Sequence, residues 1–390
     1  MTATDPTATD PTATDPTATD PTATDRAVAA TEERPAVAPR GRGTTVVRVG
    51  PVSGRIRWRH LVVPLVAAAA LVVVSAVSLG RGDYPIAVSE VLRTLVGLGE
   101  GTSEFIVLEL RAPRVVVGLL VGAAFGLAGA LFQTFARNPL ASPDVLGITQ
   151  GASVGAVAAI VLSGSTTTGE LLGGLGIPLA ALLGALVAGL LLFVLAWRAG
   201  IEGVRLVLVG IALWSLGSAT VEYLLTRAEI YDAAAAYVWI TGSLNARTWD
   251  HAVPLAWALA LLLPLALAAS RSLAALQFSD DTARGLGVRL PLAQGAVVLI
   301  AVVLTAVAVA AAGPVAFVAL IVPQIAVRLT GGSRPPLLAS ALLGALLVAG
   351  ADLLTRTVLP AALPVGIITA VVGAPYLIWL LVRGRRRSTL

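Results

Sequence analysis

Residues 115–130 read VVVGLLVGAAFGLAGA, and they decide the class of fold. They lie within an apolar run at 112–135, which is long enough to cross a hydrocarbon core of about 30 Å as a helix. Gly122 and Gly126 are four positions apart, so a neighbouring helix can approach this face closely. We interpret the face as ordinary helix packing, and the stretch predicts a membrane-spanning helix inside a helical bundle.

The chain beyond residue 60 repeats this pattern of long apolar runs. Hydrophobic residues make up 57% of the 390 residues and charged residues only 13%, whereas a soluble domain has roughly 25% charged residues. This composition excludes a nucleic-acid binder, a cytosolic enzyme and a disordered scaffold. We predict an all-α, polytopic membrane protein. Its ten predicted transmembrane helices are 61–80, 112–135, 144–163, 178–197, 204–226, 251–270, 291–312, 314–329, 337–356 and 364–382.

The first 55 residues differ from everything that follows. The sequence Thr-Ala-Thr-Asp-Pro recurs with a period of five up to Asp25, and so frequent a proline prevents a continuous helix. We predict a disordered cytoplasmic tail at 1–55 and a membrane domain at 56–390. The tail is open to three interpretations: a regulatory segment, the expansion of a short nucleotide repeat, or a misassigned start codon. A signal peptide is disfavoured because no basic residue precedes Arg26.

The distribution of arginine predicts the orientation in the membrane. All 27 basic residues are arginine, and cytoplasmic segments of membrane proteins retain positive charge. With the N-terminus inside, ten spans place twenty arginines in the cytoplasm and seven outside. Both termini are therefore predicted to be cytoplasmic, and the positive net charge calls for no nucleic-acid partner.

Motifs for catalysis or energy conversion do not occur in the sequence. It contains no lysine for a phosphate-binding loop and no cysteine for a thiolate site. His60 and His251 fall on opposite sides of the predicted membrane, so they cannot form a metal pair. We therefore predict no catalytic residue, no cofactor and no metal site, which leaves transport or anchoring.

Charged residues inside the predicted spans are few, and two of them are four positions apart. Glu222 lies in span five, and Asp352 and Arg356 lie in span nine. This scarcity argues against a proton pump, which needs a chain of acids and bases at mid-membrane. Asp352 and Arg356 share one helical face, which predicts an ion pair. A contact to an external partner is a compatible alternative.

The segment 272–290, between spans six and seven, predicts a short helix outside the membrane. Ser279 can cap it, acidic residues follow in its first turn, and Gly285 and Gly287 can end it. Such a helix is either a docking element or an inert connector, and the residues alone leave both interpretations open.

Several motifs occur in the order and spacing of one transporter family. They include Leu110-Arg111-Ala112-Pro113-Arg114, Gly129-Ala130-Leu131-Phe132-Gln133, Arg137-Asn138-Pro139-Leu140-Ala141, Trp239-Ile240-Thr241-Gly242-Ser243-Leu244, Gly313-Pro314-Val315-Ala316-Phe317 and Leu363-Pro364-Val365-Gly366. The chain resembles the FecCD-type permeases of ABC importers, which take up iron–siderophore complexes, haem and vitamin B12. The resemblance covers about 61–384 and implies a BtuC-like permease fold with ten spans in the cytoplasmic membrane.

The resemblance also implies roles for particular residues. In the family, the segment that corresponds to 272–290 docks into a cleft of the ATPase subunit. The contacts that this implies here are Asp281, Arg284 and Gly287. Basic residues on the outer face meet acidic residues of the substrate-binding protein; the matching positions are Arg111, Arg114 and Arg356. The translocation pathway lies at the interface of two permease subunits; the candidates here are Trp239, Thr241 and Ser243.

Partners and substrate follow from the same resemblance. Pro323-Gln324, followed by Arg328-Leu329-Thr330, is similar to the FepG-like branch, which is associated with ferric enterobactin. This implies a ferric siderophore of the catecholate type, a FepD-like permease as heterodimer partner, two ATPase subunits that hold ATP and Mg²⁺, an extracytoplasmic siderophore-binding lipoprotein and surrounding lipids. The alternatives are a haem or cobalamin permease of the same fold and, from other classes, a membrane-embedded enzyme or an anchor protein.

Overall fold

The computed structural model describes residues 44–49, 52–82, 84–162, 167–197, 202–278, 280–359 and 363–385. The chain divides into two compact units, Met1–Ile56 and Arg57–Leu390. Strands β1 (Thr44–Val49) and β2 (Val52–Arg57) pair into a two-stranded sheet. The expectation of a purely all-α chain with a disordered tail over 1–55 is therefore corrected at these strands. The repeats at the N-terminus lie outside the described residues.

The second unit is helical. Its helices in chain order are α1 (Arg59–Gly80), α2 (Val88–Leu95), α3 (Gly101–Phe105), a π-helical segment (Ile106–Arg111), α4 (Ala112–Ala136), α5 (Ile148–Leu162), α6 (Thr167–Ala196), α7 (Gly203–Arg227), α8 (Ile230–Ile240), α9 (Trp249–Ala268), α10 (Ser270–Ala275), α11 (Asp280–Gly285), α12 (Leu290–Ala312), α13 (Val318–Thr330), α14 (Leu337–Thr357) and α15 (Val365–Arg385). Helix α6 contains a break at Gly176, whose φ is 75°, just before Pro178.

Each of the ten predicted spans coincides with one of these helices. By length and composition, seven helices in the described part of the chain can cross a membrane, and the chain is a multi-pass membrane protein. Helix α13 is shorter because backbone conformation stops it at both ends: Phe317 before it and Gly331 after it have φ of 66°. The number of ten crossings stays a prediction.

Helix α4 lies at the centre of the bundle, where it packs against α9, α12, α13 and α14. Glycine allows α4 to approach α14 closely. A Cβ atom on Gly122 would lie 2.3 Å from the Gly344 carbonyl oxygen, and one on Gly126 would lie 2.2 Å from the Ser340 carbonyl oxygen. The small-residue face of the 115–130 stretch is thus where α4 meets α14, and it positions the charged residues at the ends of both helices.

Candidate functional site

Three arginines and one carboxylate meet where α1 and α14 end and α4 begins. We call Arg111, Arg114, Asp352 and Arg356 the arginine cluster. Arg114 donates to Asp352 through Nη2 at 2.7 Å and through Nε at 3.0 Å. Arg356 Nε lies 3.1 Å from the other oxygen of Asp352, so the ion pair expected within α14 is present. Only 4% of the Asp352 side chain is exposed, and the cluster holds three positive charges against one negative charge.

The arginines also bind the end of helix α1. Arg111 donates from Nη1 to the Leu79 carbonyl oxygen at 2.8 Å and from Nη2 to the Tyr84 carbonyl oxygen at 2.5 Å. Arg356 Nη1 lies 3.4 Å from the Ser78 carbonyl oxygen. The last carbonyl groups of a helix have no partner within the helix and carry partial negative charge, so guanidinium groups stabilise them.

Backbone geometry explains why Arg111 points inward. Pro113 has no backbone N–H group, so a regular α-helix that passes through it lacks one backbone hydrogen bond. The chain forms a π-helical turn at 106–111, closed by the Ala112 N–H on the Val107 carbonyl oxygen. Arg111 is buried at its end. The structure therefore places Arg111 in a structural contact, where the sequence predicted a surface for docking, and Arg114 is the most exposed arginine of the cluster.

The segment 272–290 lies at the surface and forms the expected short helix, α11. Asp281 and Arg284 pair at 3.0 Å, with both side chains largely exposed. Gly287 has a φ of 80° and nothing within 4 Å of the place a Cβ atom would take. Sequence reasoning missed two exposed apolar side chains here, Phe278 at 55% and Leu286 at 62% exposure. They could have been found as large apolar residues that lie close to charged residues in a segment outside the predicted spans.

Two arginines that sequence reasoning did not single out anchor this segment and the residues just before it to the bundle. Arg137, just after α4, donates from Nε to the Leu276 carbonyl oxygen at 2.7 Å. Arg334, just before α14, donates from Nη1 to the Ser270 carbonyl oxygen at 3.2 Å. Arg137 thus ties the segment to α4, and Arg334 ties Ser270, two residues before the segment, to the start of α14. Both helices carry the arginine cluster at their opposite ends.

A cavity of about 340 Å³ borders the segment at Gln277. Its lining residues include Gln133, Arg137, Asn138, Gln277, Gln324 and Ser333. Gln324 donates from Nε2 to Gln133 Oε1 at 2.6 Å, and Gln133 donates to the Leu320 carbonyl oxygen at 2.8 Å. The glutamine that distinguishes the Pro323-Gln324 motif therefore bonds α13 to α4.

The three residues predicted for the pathway lie at the end of α8, but not all of them face outward. Trp239 and Thr241 are half-buried, and Ser243 is buried. The Thr241 hydroxyl donates to the Val238 carbonyl oxygen at 2.7 Å, and Ser243 Oγ accepts from the Asn245 N–H at 3.1 Å. Both hydroxyl groups are thus engaged with their own backbone.

Glycine backbones pack closely around these three residues. Gly242, with a φ of 72°, would place a Cβ atom 2.1 Å from the Pro314 carbonyl oxygen, and Gly366 would place one 2.0 Å from the Thr241 carbonyl oxygen. The Gly366 N–H donates to the Gly242 carbonyl oxygen at 3.2 Å. Three of the motifs that carried the family resemblance therefore meet at one point in the fold.

Comparison with known proteins identifies the family. The model of the FecCD transport family matches residues 57–383. The chain is 40% identical over 331 residues to the ferric enterobactin transport system permease protein FepG of Escherichia coli, covering 85% of this chain and 98% of FepG. It is 37% identical to the iron(3+)-hydroxamate import system permease protein FhuG of Bacillus subtilis, covering 83% and 98%.

A solved structure is also similar. It is described as an inward-facing conformation of a metal-chelate type ABC transporter; the TM-score is 0.69 at 26% sequence identity, covering 83% of this chain and 99% of that one. The match to the family model spans nearly all of the helical unit, and the relatives are matched over almost their full length. The chain belongs to the FecCD transport family.

Proposed function

We propose that this chain is the permease subunit of an ABC importer that carries a ferric siderophore across the cytoplasmic membrane. The match to the FecCD family model over residues 57–383 carries the proposal. The names of its relatives support it, since they describe permeases for ferric enterobactin, iron hydroxamate and ferric dicitrate. ATP would be hydrolysed on separate ATPase subunits, two in each complete importer.

The topology belongs to the same proposal. Both termini would lie in the cytoplasm, as the arginine distribution favours. The segment 272–290 would then be cytoplasmic, and the arginine cluster would lie at the outer face. Helices α4 and α14 connect the two places. The end of α4 bonds to the segment and the start of α14 bonds to Ser270 just before it, while the other end of each helix lies in the cluster.

The segment 272–290 is our proposed contact to an ATPase subunit. Asp281, Arg284 and Gly287 are available there, and the exposed side chains of Phe278 and Leu286 add an apolar contact surface. Apolar side chains at the centre of a small charged surface are typical of protein interfaces. The bond from Arg137 to Leu276 would transmit movement of the segment to α4, and the bond from Arg334 to Ser270 would couple the start of α10 to α14.

The arginine cluster is our proposed support for a siderophore-binding lipoprotein on the outer face. Arg114 can be reached by an acidic partner, since 19% of its side chain is exposed. Arg111 and Arg356, which are more buried than Arg114, would hold the ends of α1 and α14 in place. Electrostatic complementarity of this kind steers encounter and fixes orientation.

The pathway would run at the interface with a second permease, for which a FepD-like homologue is the proposed heterodimer partner. Trp239 and Thr241 are half-buried in this single chain and can face such an interface. Ser243 is buried, so it would stabilise the chain after α8 rather than face the interface.

Enterobactin is the first substrate to test, because FepG is among the similar relatives; hydroxamate and citrate complexes follow. The experiment is uptake of radiolabelled ferric siderophores into a deletion strain, complemented with the wild-type gene or the empty vector. Restored uptake of at least one ferric siderophore supports the proposal. Normal ferric siderophore uptake in the deletion strain, with loss of haem or cobalamin uptake, would refute it.

A further inference from the structure

A second cavity lies where α1 and α14 begin and α9 ends. It has a volume of about 250 Å³, and its lining includes His60, Leu267 and Leu337 from the ends of these three helices. All three helices are long and apolar enough to cross a membrane, so their ends lie where hydrocarbon gives way to lipid headgroups. We call it the α1–α14 cavity.

The apolar part of the lining reaches the surface of the protein. Leu273 is buried, whereas Leu267 is 41% exposed and Leu338 is 44% exposed. Trp58, just before α1, is 57% exposed, and a tryptophan at the end of a spanning helix is typical of a membrane interface. The exposed leucines of the α1–α14 cavity are therefore placed to contact the hydrocarbon of a lipid.

The basic part of the site comes together at the turn between α13 and α14. Arg334, which belongs to this turn, lines the cavity with His60. A Cβ atom on Gly332 would lie 3.6 Å from His60 Cε1, and one on Gly331 would lie 3.5 Å from Arg59 Nη1. Two arginines and a histidine from distant parts of the chain thus meet at one turn.

The protein does not neutralise the positive charge of these arginines. The segments 57–82, 251–279 and 282–351 supply all of the cavity lining except Thr134, and they contain no aspartate or glutamate. Within the described residues, Arg59 and Arg334 form no ion pair. Arg334 donates from Nη1 to the Ser270 carbonyl oxygen at 3.2 Å, which uses one of the five N–H donors of a guanidinium group. The site is therefore suited to an anion from outside these segments.

We propose that the α1–α14 cavity binds one anionic phospholipid, with the phosphate at Arg59 and Arg334 and an acyl chain along Leu267 and Leu338. Guanidinium and phosphate groups form strong charge-assisted hydrogen bonds, and basic pockets between membrane-spanning helices bind anionic headgroups. The inference requires only that the chain spans a membrane, and it goes beyond the proposed function.

The leucines favour a lipid over the other anions within reach. A free phosphate ion would satisfy the arginines and leave the apolar lining in contact with water. The acidic repeats of residues 1–25 carry only threonine, alanine, aspartate and proline after Met1, so they also offer no long apolar side chain for the leucines. A phospholipid supplies both the negative charge and the hydrocarbon.

The test is native mass spectrometry of the full-length chain in neutral detergent micelles, with added dioleoyl phosphatidylglycerol or dioleoyl phosphatidylcholine. We expect one phosphatidylglycerol molecule to bind more tightly than phosphatidylcholine. Each arginine contributes about a fivefold change in affinity for an anionic lipid, so Arg59→Gln/Arg334→Gln should weaken phosphatidylglycerol binding by about 25-fold. Arg59→Lys/Arg334→Lys keeps the charge and should keep most of the preference. The matched control Arg81→Gln/Arg93→Gln, which removes two exposed arginines beyond the other end of α1, should change nothing.

Arg59→Gln alone guards against a folding defect from the loss of the bond between Arg334 and Ser270. The Arg59 side chain bonds to none of the described residues, so this variant should fold and bind phosphatidylglycerol about fivefold more weakly.

Several results would overturn the lipid site. Equal affinity of the wild-type chain for the two lipids would do so, as would an equal loss in the lysine and glutamine double variants, which would show a structural role for the arginines. Displacement of the lipid by an equal concentration of inorganic phosphate would show a site for small anions only. Much tighter lipid binding after deletion of residues 2–25 would show that the acidic repeats occupy the cavity in the full chain. The importer assignment stands in each case.

Discussion

Removing the carboxylate of the arginine cluster should destabilise the protein severely. Asp352→Asn deletes the only negative charge among three arginines, at a side chain that is 4% exposed and lies 2.7 Å from Arg114 and 3.1 Å from Arg356. Each pair interacts by about 4 kcal/mol at an effective dielectric constant near 20, and desolvation offsets part of this. Breaking a buried pair typically costs about 3–5 kcal/mol, because the remaining charge is uncompensated.

The assay is equilibrium unfolding in mixed detergent micelles, followed by tryptophan fluorescence. The matched control is Asp281→Asn, which removes the same group from the exposed pair with Arg284 and should leave the unfolding curve unchanged. The double variant Asp352→Asn/Arg356→Gln restores the original net charge of the cluster. It should be less destabilised than the sum of the single changes.

Equal effects of Asp352→Asn and Asp281→Asn would contradict this reasoning, because Asp352 is buried between two arginines whereas Asp281 is exposed and pairs with one. Strict additivity in the double variant would also contradict it. Either result would show that the arginines of the cluster do not depend on Asp352 for their stability.

Three further changes test other contacts. Gly344→Ala should lower the free energy of unfolding by about 1–3 kcal/mol in the same assay, because its Cβ would lie 2.1 Å from the Gly122 carbonyl oxygen. The control Gly350→Ala, where a Cβ meets nothing within 4 Å on the same helix, should be neutral or stabilising. Equal losses for the two variants would contradict the close approach of α4 and α14. Phe278→Ala should weaken co-purification of the ATPase subunit without changing permease levels, and unchanged co-purification would remove Phe278 from the contact. Gly287→Ala should reduce transport-coupled ATPase activity through a backbone cost of about 1 kcal/mol, and full activity would show that the φ of 80° is not required.

The positions of the helices were largely predictable from sequence. In lipid, the backbone N–H and C=O groups of a long apolar run have no water to bind, so they must pair within the run. Each run therefore forms a helix, whichever neighbours it packs against. Two features escaped this reasoning. The strands at 44–49 and 52–57 were not predicted, because the whole of 1–55 was interpreted as a disordered tail. The π-helical turn at 106–111 was not predicted, because it depends on how Pro113 is accommodated in three dimensions.

The candidate site was predicted in part. The ion pair between Asp352 and Arg356 follows from a spacing of four on one helix and is present. Arg114, 238 positions from Asp352, could not be assigned to that carboxylate, because no local rule connects residues so far apart. The inward position of Arg111 was missed for the same reason, since its partners are carbonyl groups at the end of α1 and in the loop after it.

The sequence by itself determined the membrane class, the helix positions and the family, because these depend on local composition and on motifs read in order. Only the tertiary structure decided which charges are satisfied and which are presented outward. Arg111, Arg114 and Arg356 are equally charged in the sequence, yet packing gives them partners, while Glu222 stays on an exposed face. The reason is physical: the energy of a charge depends on its surroundings, and the surroundings come from helices distant in the chain.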